Sequence, residues 1–187
     1  MLKDVVDKYL QLFPQDLPKL GLLLKQLEAQ ERLDDRHNFN GHIAGDALVL
    51  SPDYKKILFI YHQRSGRWQQ PGGHLESSEE GPWLTAEREA IEETGVSINR
   101  RLNISDNFRV PLHISTGPVY PHPSKKNELH HWHHDFRYVF VATSERLGKI
   151  QDEGIGGTKW VKLDEVEPIG GGHDMETSLE RLLKLIA

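Results

Sequence analysis

The chain has 187 residues, 37% of them hydrophobic, which is enough to bury one ordinary core without covalent staples. With no cysteine it can form no disulfide, thiolate zinc site or cysteine nucleophile, and this fits a reducing cytoplasm. A formal net charge of -5 leaves no basic footprint for nucleic acid, and the absence of a long apolar run or signal-peptide pattern gives the expectation of a cytoplasmic chain with no membrane partner.

Residues 1 to 35 follow a helical pattern unlike what comes after. Leu2, Val5, Val6, Tyr9, Leu10 and Phe13 keep the helical period, Pro14 ends that segment, and Asp16 with Pro18 reads as the cap and first turn of a second helix. Leu20, Leu23, Leu24 and Leu27 make its apolar stripe. The chain therefore divides into a helical extension, 1–35, and a main domain, 36–187. The extension either packs on that domain or offers the surface of a homodimer.

Between Gly41 and His62 the pattern becomes that of strands. Ala47–Leu50 and Ile57–Tyr61 are near-continuous apolar runs around a hairpin loop, Ser51 to Lys56, so both read as strands covered on two faces. Residues 63–70, QRSGRWQQ, then carry Arg64 and Arg67, cations able to bind phosphate oxygens. As surface residues these arginines would be unremarked; their place just ahead of Pro71-Gly72-Gly73 is what singles them out.

The segment 71–96 is the most informative. Wound as a helix, Glu89, Glu92 and Glu93 stand at i, i+3 and i+4, so three carboxylates share one face. An acidic helix is more often a solvated face, yet a hard divalent cation would turn this mutual repulsion into coordination. Trp83, Leu84, Ala86, Ala90 and Ile91 are expected on the buried side, and Gly95 stops the helix.

Beyond it, residues 97–123 read as weaker strands and loops, and Pro118, Pro121 and Pro123 with Ser124 to Asn127 mark a long loop that overhangs a site. His130 to Asp135 leads into a strong strand, on which His131, His133, Asp135 and Arg137 point one way. Alternate histidines on a strand can ligate a metal if a third ligand comes from elsewhere. No zinc pattern such as H-E-x-x-H occurs, and the same face suits hydrogen bonds to a ribose or phosphate. Lys159-Trp160-Val161 is a late strand, Gly170–Gly172 a joint, and Thr177 to Ile186 a closing helix with Leu179, Leu182, Leu183 and Ile186 inward.

Taken together, Gly73, Glu79, Arg88-Glu89-Ala90, Glu92-Glu93 and Gly95-Val96 resemble the signature of the Nudix hydrolases, G-x5-E-x7-R-E-U-x-E-E-x-G-U with U aliphatic. One departure is visible: Glu87 stands where that pattern has its arginine, as if one residue were inserted in the loop from Ser77 to Pro82. Glu79 and Glu80 both remain open for the acid ahead of the helix. The chain also looks like a subgroup that combines Gly41-His42, a Gln70 to His74 turn and the His131 to Tyr138 strand.

The resemblance implies an α/β/α sandwich around a mixed sheet, and a metal-dependent hydrolase of a nucleoside diphosphate linked to another group, ADP-ribose or a nucleotide sugar before a nucleoside triphosphate. Mg²⁺ or Mn²⁺ would be held by Glu89, Glu92 and Glu93 with a carbonyl of Gly72 or Gly73. Glu89 or Glu153 would take the proton of water, with Asp152 behind Glu153 and Arg88 orienting the carboxylates. Arg64, Arg67, His131, His133 and Arg137 would contact a small nucleotide. A non-catalytic reader is the rival, disfavoured because every acid after Arg88 is present; a prenyl diphosphate isomerase of the same fold would bring a cysteine that this chain lacks.

Overall fold

Strand β1 (His42–Leu50) is buried at every position. Its residues divide between two cores: Ile43, Ala47 and Val49 belong to one, Leu48 and Leu50 to the other. A strand covered on both faces needs no polar alternation, which is why the sequence runs nearly all apolar there. The computed structural model describes residues 2–120, 129–166 and 174–187, so most of the expected overhanging loop and the Gly170–Gly172 joint lie outside the described residues.

Around β1, among the described residues, the sheet has eight strands: β2 (Lys56–His62), β3 (Arg67–Gln69), β4 (Gly72–His74), β5 (Ile98–Leu102), β6 (His113–Val119), β7 (His131–Ala142) and β8 (Ile155–Lys162) complete it. The main path runs β3-β2-β1-β7-β5, with β4 on β1, β6 on β7 and β8 on β2. Among the described residues only β1 and β7 pair in parallel, from His42 opposite His133 to Leu50 opposite Val141, so the sheet is mixed. The hairpin between β1 and β2 is closed where Ser51 N–H donates to the Lys56 carbonyl at 2.9 Å.

Helix α3 (Pro82–Thr94) covers one face together with the N-terminal helices, α1 (Leu2–Leu12) and α2 (Gly21–Glu28), and α4 (Met175–Ile186) covers the other. Val5, Val6, Tyr9, Leu20 and Leu23 share a buried cluster with Ile43, Trp83 and Phe136, so the N-terminal helices pack on the sheet. No described helix is long and apolar enough to cross a membrane.

Three sequence expectations change here. Asp16 caps no helix: Pro14–Leu20 is a 3-10 turn, and the buried Asp16 carboxylate pairs with Arg181 of α4 at 2.8 Å and accepts from the Tyr9 hydroxyl. A buried guanidinium outcompetes a helix N–H for that charge. On α3, Leu84 and Ile91 are 40% and 37% exposed, because the buried stripe runs through Trp83, Ala86, Ala90 and Glu93 instead. Leu183 likewise is 50% exposed, one position past the stripe of Leu179 and Leu182. Gly95 behaves as expected, closing α3 at φ +65° with its N–H on the Ile91 carbonyl at 2.8 Å.

Candidate active site

The site forms where β4 passes along α3. β4 pairs with β1, Gly73 opposite Gly45 and Gly72 opposite Asp46, which fixes the glycine backbone over the helix. Gly72 N–H donates to Glu93 Oε2 at 2.9 Å. At Gly73 a β-carbon would overlap the carboxylate of Glu89, so only glycine lets strand and acid approach this closely. Glu93 is 3% exposed, a carboxylate within the buried stripe rather than opposite it.

Arg88 ties the acids together. Its Nε donates to Glu79 Oε1 at 2.9 Å, Nη1 to Glu89 Oε1 at 2.7 Å and to Glu92 Oε2 at 3.2 Å, and Nη2 to the His74 carbonyl at 3.2 Å. Glu79 also accepts from Glu76 N–H and the Thr85 hydroxyl, whereas Glu80 pairs with Arg109 at 2.5 Å, away from this network. Glu79 is therefore the acid that meets the arginine. The extra residue is absorbed in the loop before Pro82, where a longer connection disturbs little.

Burial raises the pKa of Glu89, against the pull of Arg88, and Glu92 and Asp152 add to the rise. Glu93 is pushed up to about 9 by burial first, with the Gly72 N–H opposing and Glu89, Asp152 and Asp46 reinforcing. For Glu79 the balance is reversed: burial is outweighed by the Arg88, Glu76 and Thr85 hydrogen bonds, and its pKa is lowered. The 151–153 loop is anchored where Gln151 N–H donates to the Glu92 carbonyl at 2.8 Å. It is Asp152, more than Glu153, whose charge reaches Glu89 and Glu93. The sequence reading ranked Glu153 ahead of Asp152, but a loop has no fixed period from which spacing could order the two.

Two clefts adjoin these residues, with His74 in the wall of both. One, of about 500 Å³, is lined by Arg64, Arg67, Gly72, Gly73, His133 and Asp135 among others. The second, of about 580 Å³, lies on the Glu89 side between Leu75–Ser78 and the connector carrying Arg32 and Arg36. Glu89 thus lines the second cleft and Glu93 is buried, while Glu92, its side chain 42% exposed, opens to solvent.

A NUDIX domain model matches residues 42–182. The chain belongs to the Nudix hydrolase family. A protein of Lactococcus lactis subsp. cremoris (strain MG1363) named as a probable DHNTP pyrophosphohydrolase is 32% identical over 122 residues, 65% of this chain and 67% of that protein. The fold is that of a NUDIX-family hydrolase from Clostridium perfringens (TM-score 0.59, 21% identity, covering 77% of this chain and 97% of the other). It is likewise that of the NUDIX domain of Shewanella oneidensis NrtR, solved with ADP ribose (TM-score 0.51, 20% identity, covering 88% and 98%).

Within this Nudix domain the remaining sequence candidates separate. Arg64, Arg67 and His133 line the first cleft. Arg137 does not: it is 1% exposed, and its guanidinium donates to Asp46 Oδ2 at 3.0 Å and Ser178 Oγ at 2.6 Å, tying β7 to β1 and α4. The strand period placed it on the face of His133 and Asp135, but that face passes under α4 before it reaches Arg137. Asp46 and Gln70, hydrogen-bonded at 2.8 Å, are cleft residues that the sequence reading missed. A lone acid inside an apolar strand was the available signal. His131 is 4% exposed and faces His133, with Nε2 atoms 3.2 Å apart.

Proposed function

We propose that this Nudix protein hydrolyses the diphosphate linkage of a nucleoside diphosphate joined to a second group, of the ADP-ribose or nucleotide-sugar kind, using Mg²⁺ or Mn²⁺. The observation that carries this reading is the meeting of Glu89 and Glu93 with the backbone of Gly72–Gly73 at the edge of a cleft that also presents Arg64 and Arg67. An all-oxygen set suits a hard cation. Glu89, Glu92 and Glu93, with the Gly73 carbonyl, would hold it, and the raised pKa values of Glu89 and Glu93, set first by burial and then by neighbouring acids, mark carboxylates that a bound cation would neutralise. When bound, such an ion supplies charge neutralisation on the phosphate oxygens and a more acidic water.

The protein's own groups do the rest. Water oxygen bonds to phosphorus as the bridging P–O bond breaks, the water's proton passes to a carboxylate, and the departing phosphate carries the electron pair of that bond. Glu89 is the acceptor we assign: its carboxylate is largely shielded from solvent and held by Arg88. Arg88 positions Glu89 and Glu92, while Arg64 and Arg67 are placed to receive phosphate oxygens. His133 and Asp135, deeper in the same cleft, are available to a ribose or sugar hydroxyl.

The relative named as a pyrophosphohydrolase supports a second reading, release of pyrophosphate from a triphosphate. A product screen separates the two. ADP-ribose, nucleotide sugars and nucleoside triphosphates are each incubated with the protein and Mg²⁺ or Mn²⁺: two monophosphates from the diphosphate substrates support the first reading, pyrophosphate from triphosphates the second. Absence of turnover on all of them, with binding retained, would leave a non-catalytic nucleotide reader.

A further inference from the structure

We propose that His42, His131 and His133 form a second metal site, distinct from the acids of α3, for a zinc-type divalent ion bound through imidazole nitrogen. The inference goes beyond the diphosphate reading and does not depend on it. One ligand atom from each histidine lies within 4.8 Å of the others, and among the described residues this is the one group of histidines and acids that converges so closely. Register explains the meeting. His42 and His133 are direct partners in the parallel pairing of β1 and β7, and His131 stands two residues before His133 on the same face.

The outward nitrogens decide how the rings are protonated. His42 Nδ1 faces the Asn38 carbonyl at 3.1 Å and His131 Nδ1 faces the Leu129 carbonyl at 2.8 Å. A carbonyl only accepts, so each ring carries its proton on Nδ1 and turns a bare Nε2 lone pair inward, the tautomer that a metal ligand requires. His42 Nε2 is buried with no hydrogen-bond partner among the described residues. His133 Nε2 lies 3.2 Å from His131 Nε2, and its Nδ1 is on the side of Asp135, 3.9 Å from Oδ1. At that distance His133 Nε2–H donates to the bare His131 Nε2 while no metal is bound, and a cation would displace that proton.

Imidazole nitrogen suits zinc, cobalt, nickel or copper far better than magnesium. Three histidines leave one position of a tetrahedron open. Of the three, His133 lines the 500 Å³ cleft, so the site adjoins that space. His74 flanks the cluster, its ring centroid 5.0 Å from those of His42 and His133.

The test uses the full chain stripped with chelator and titrated with Co²⁺, then Zn²⁺, alongside Glu93→Gln and His131→Gln. We expect an intense visible cobalt band of low coordination number that saturates at one equivalent, is displaced by Zn²⁺, persists in Glu93→Gln and weakens in affinity by about 100-fold or more in His131→Gln. A faint octahedral spectrum, or a band lost in Glu93→Gln and kept in His131→Gln, overturns the site. Should His131→Gln fail to fold, X-ray absorption of the unmodified zinc-loaded protein decides: imidazole scattering with nitrogens near about 2.0 Å supports the site, and an oxygen-only shell refutes it.

Discussion

Gly73 and Glu89 are in such close apposition that the strand can carry no side chain there: a β-carbon would occupy the space of the carboxylate. Gly73→Ala must therefore displace Glu89, the nearest atoms being the movable end of a side chain and not backbone. The fold should survive, with a melting temperature close to the parent's. A misplacement of about 1 Å at a reacting group costs about 100-fold in rate, so kcat should fall by that order with the circular dichroism spectrum unchanged. Parental kcat would show that Glu89 has no part in the chemistry.

Glu93 ties stability to pH. Its folded-state pKa of about 9 stands above the ordinary 4.5, so the metal-free fold holds a proton that the unfolded chain has released. The stability that this group confers is thus full below 4.5 and declines as pH rises toward 9. Glu93→Gln should flatten that decline in melting temperature and abolish Mg²⁺-dependent turnover, since the amide keeps the shape and loses the charge. In the parent protein, Mg²⁺ binding should expel the proton, and calorimetry in buffers of different ionisation enthalpy would detect it.

Of the two loop acids, Asp152 is the one whose charge acts more on Glu89 and Glu93. Asp152→Asn should lower the pH at which Glu93 gives up its proton and reduce kcat, by less than the ~100-fold that loss of even a weak general acid or base costs. Glu153→Gln should do less on both counts. Parallel pH–rate profiles of the two variants check the ranking, which fails if Glu153→Gln is the more damaging.

Arg137 is expected to be a stability residue. Replacing it with methionine leaves the Asp46 carboxylate buried without its partner, and breaking a buried pair in this way costs about 3–5 kcal/mol. Urea denaturation should show that loss. In the fraction that remains folded, KM should be close to the parent value; a raised KM at full stability would return Arg137 to the substrate.

The outcome for these residues separates local information from global. The strands at Ala47–Leu50 and Ile57–Tyr61, the helix before Gly95, the spacing of Glu89, Glu92 and Glu93, and the family signature are all written in short-range periodicity and were legible in the chain. Periodicity fixes which residues share a face because the backbone repeats, whatever surrounds it. It does not say what lies against that face. That Glu93 is buried and Leu84 exposed, that Asp16 meets Arg181 rather than a helix end, that Glu79 and not Glu80 holds Arg88, and that His42 comes to His131 and His133 were decided by tertiary packing. Each pairs residues far apart in sequence or chooses between neighbours in a loop, and the free energy that makes the choice, desolvation set against a specific partner, exists only once the layers have closed.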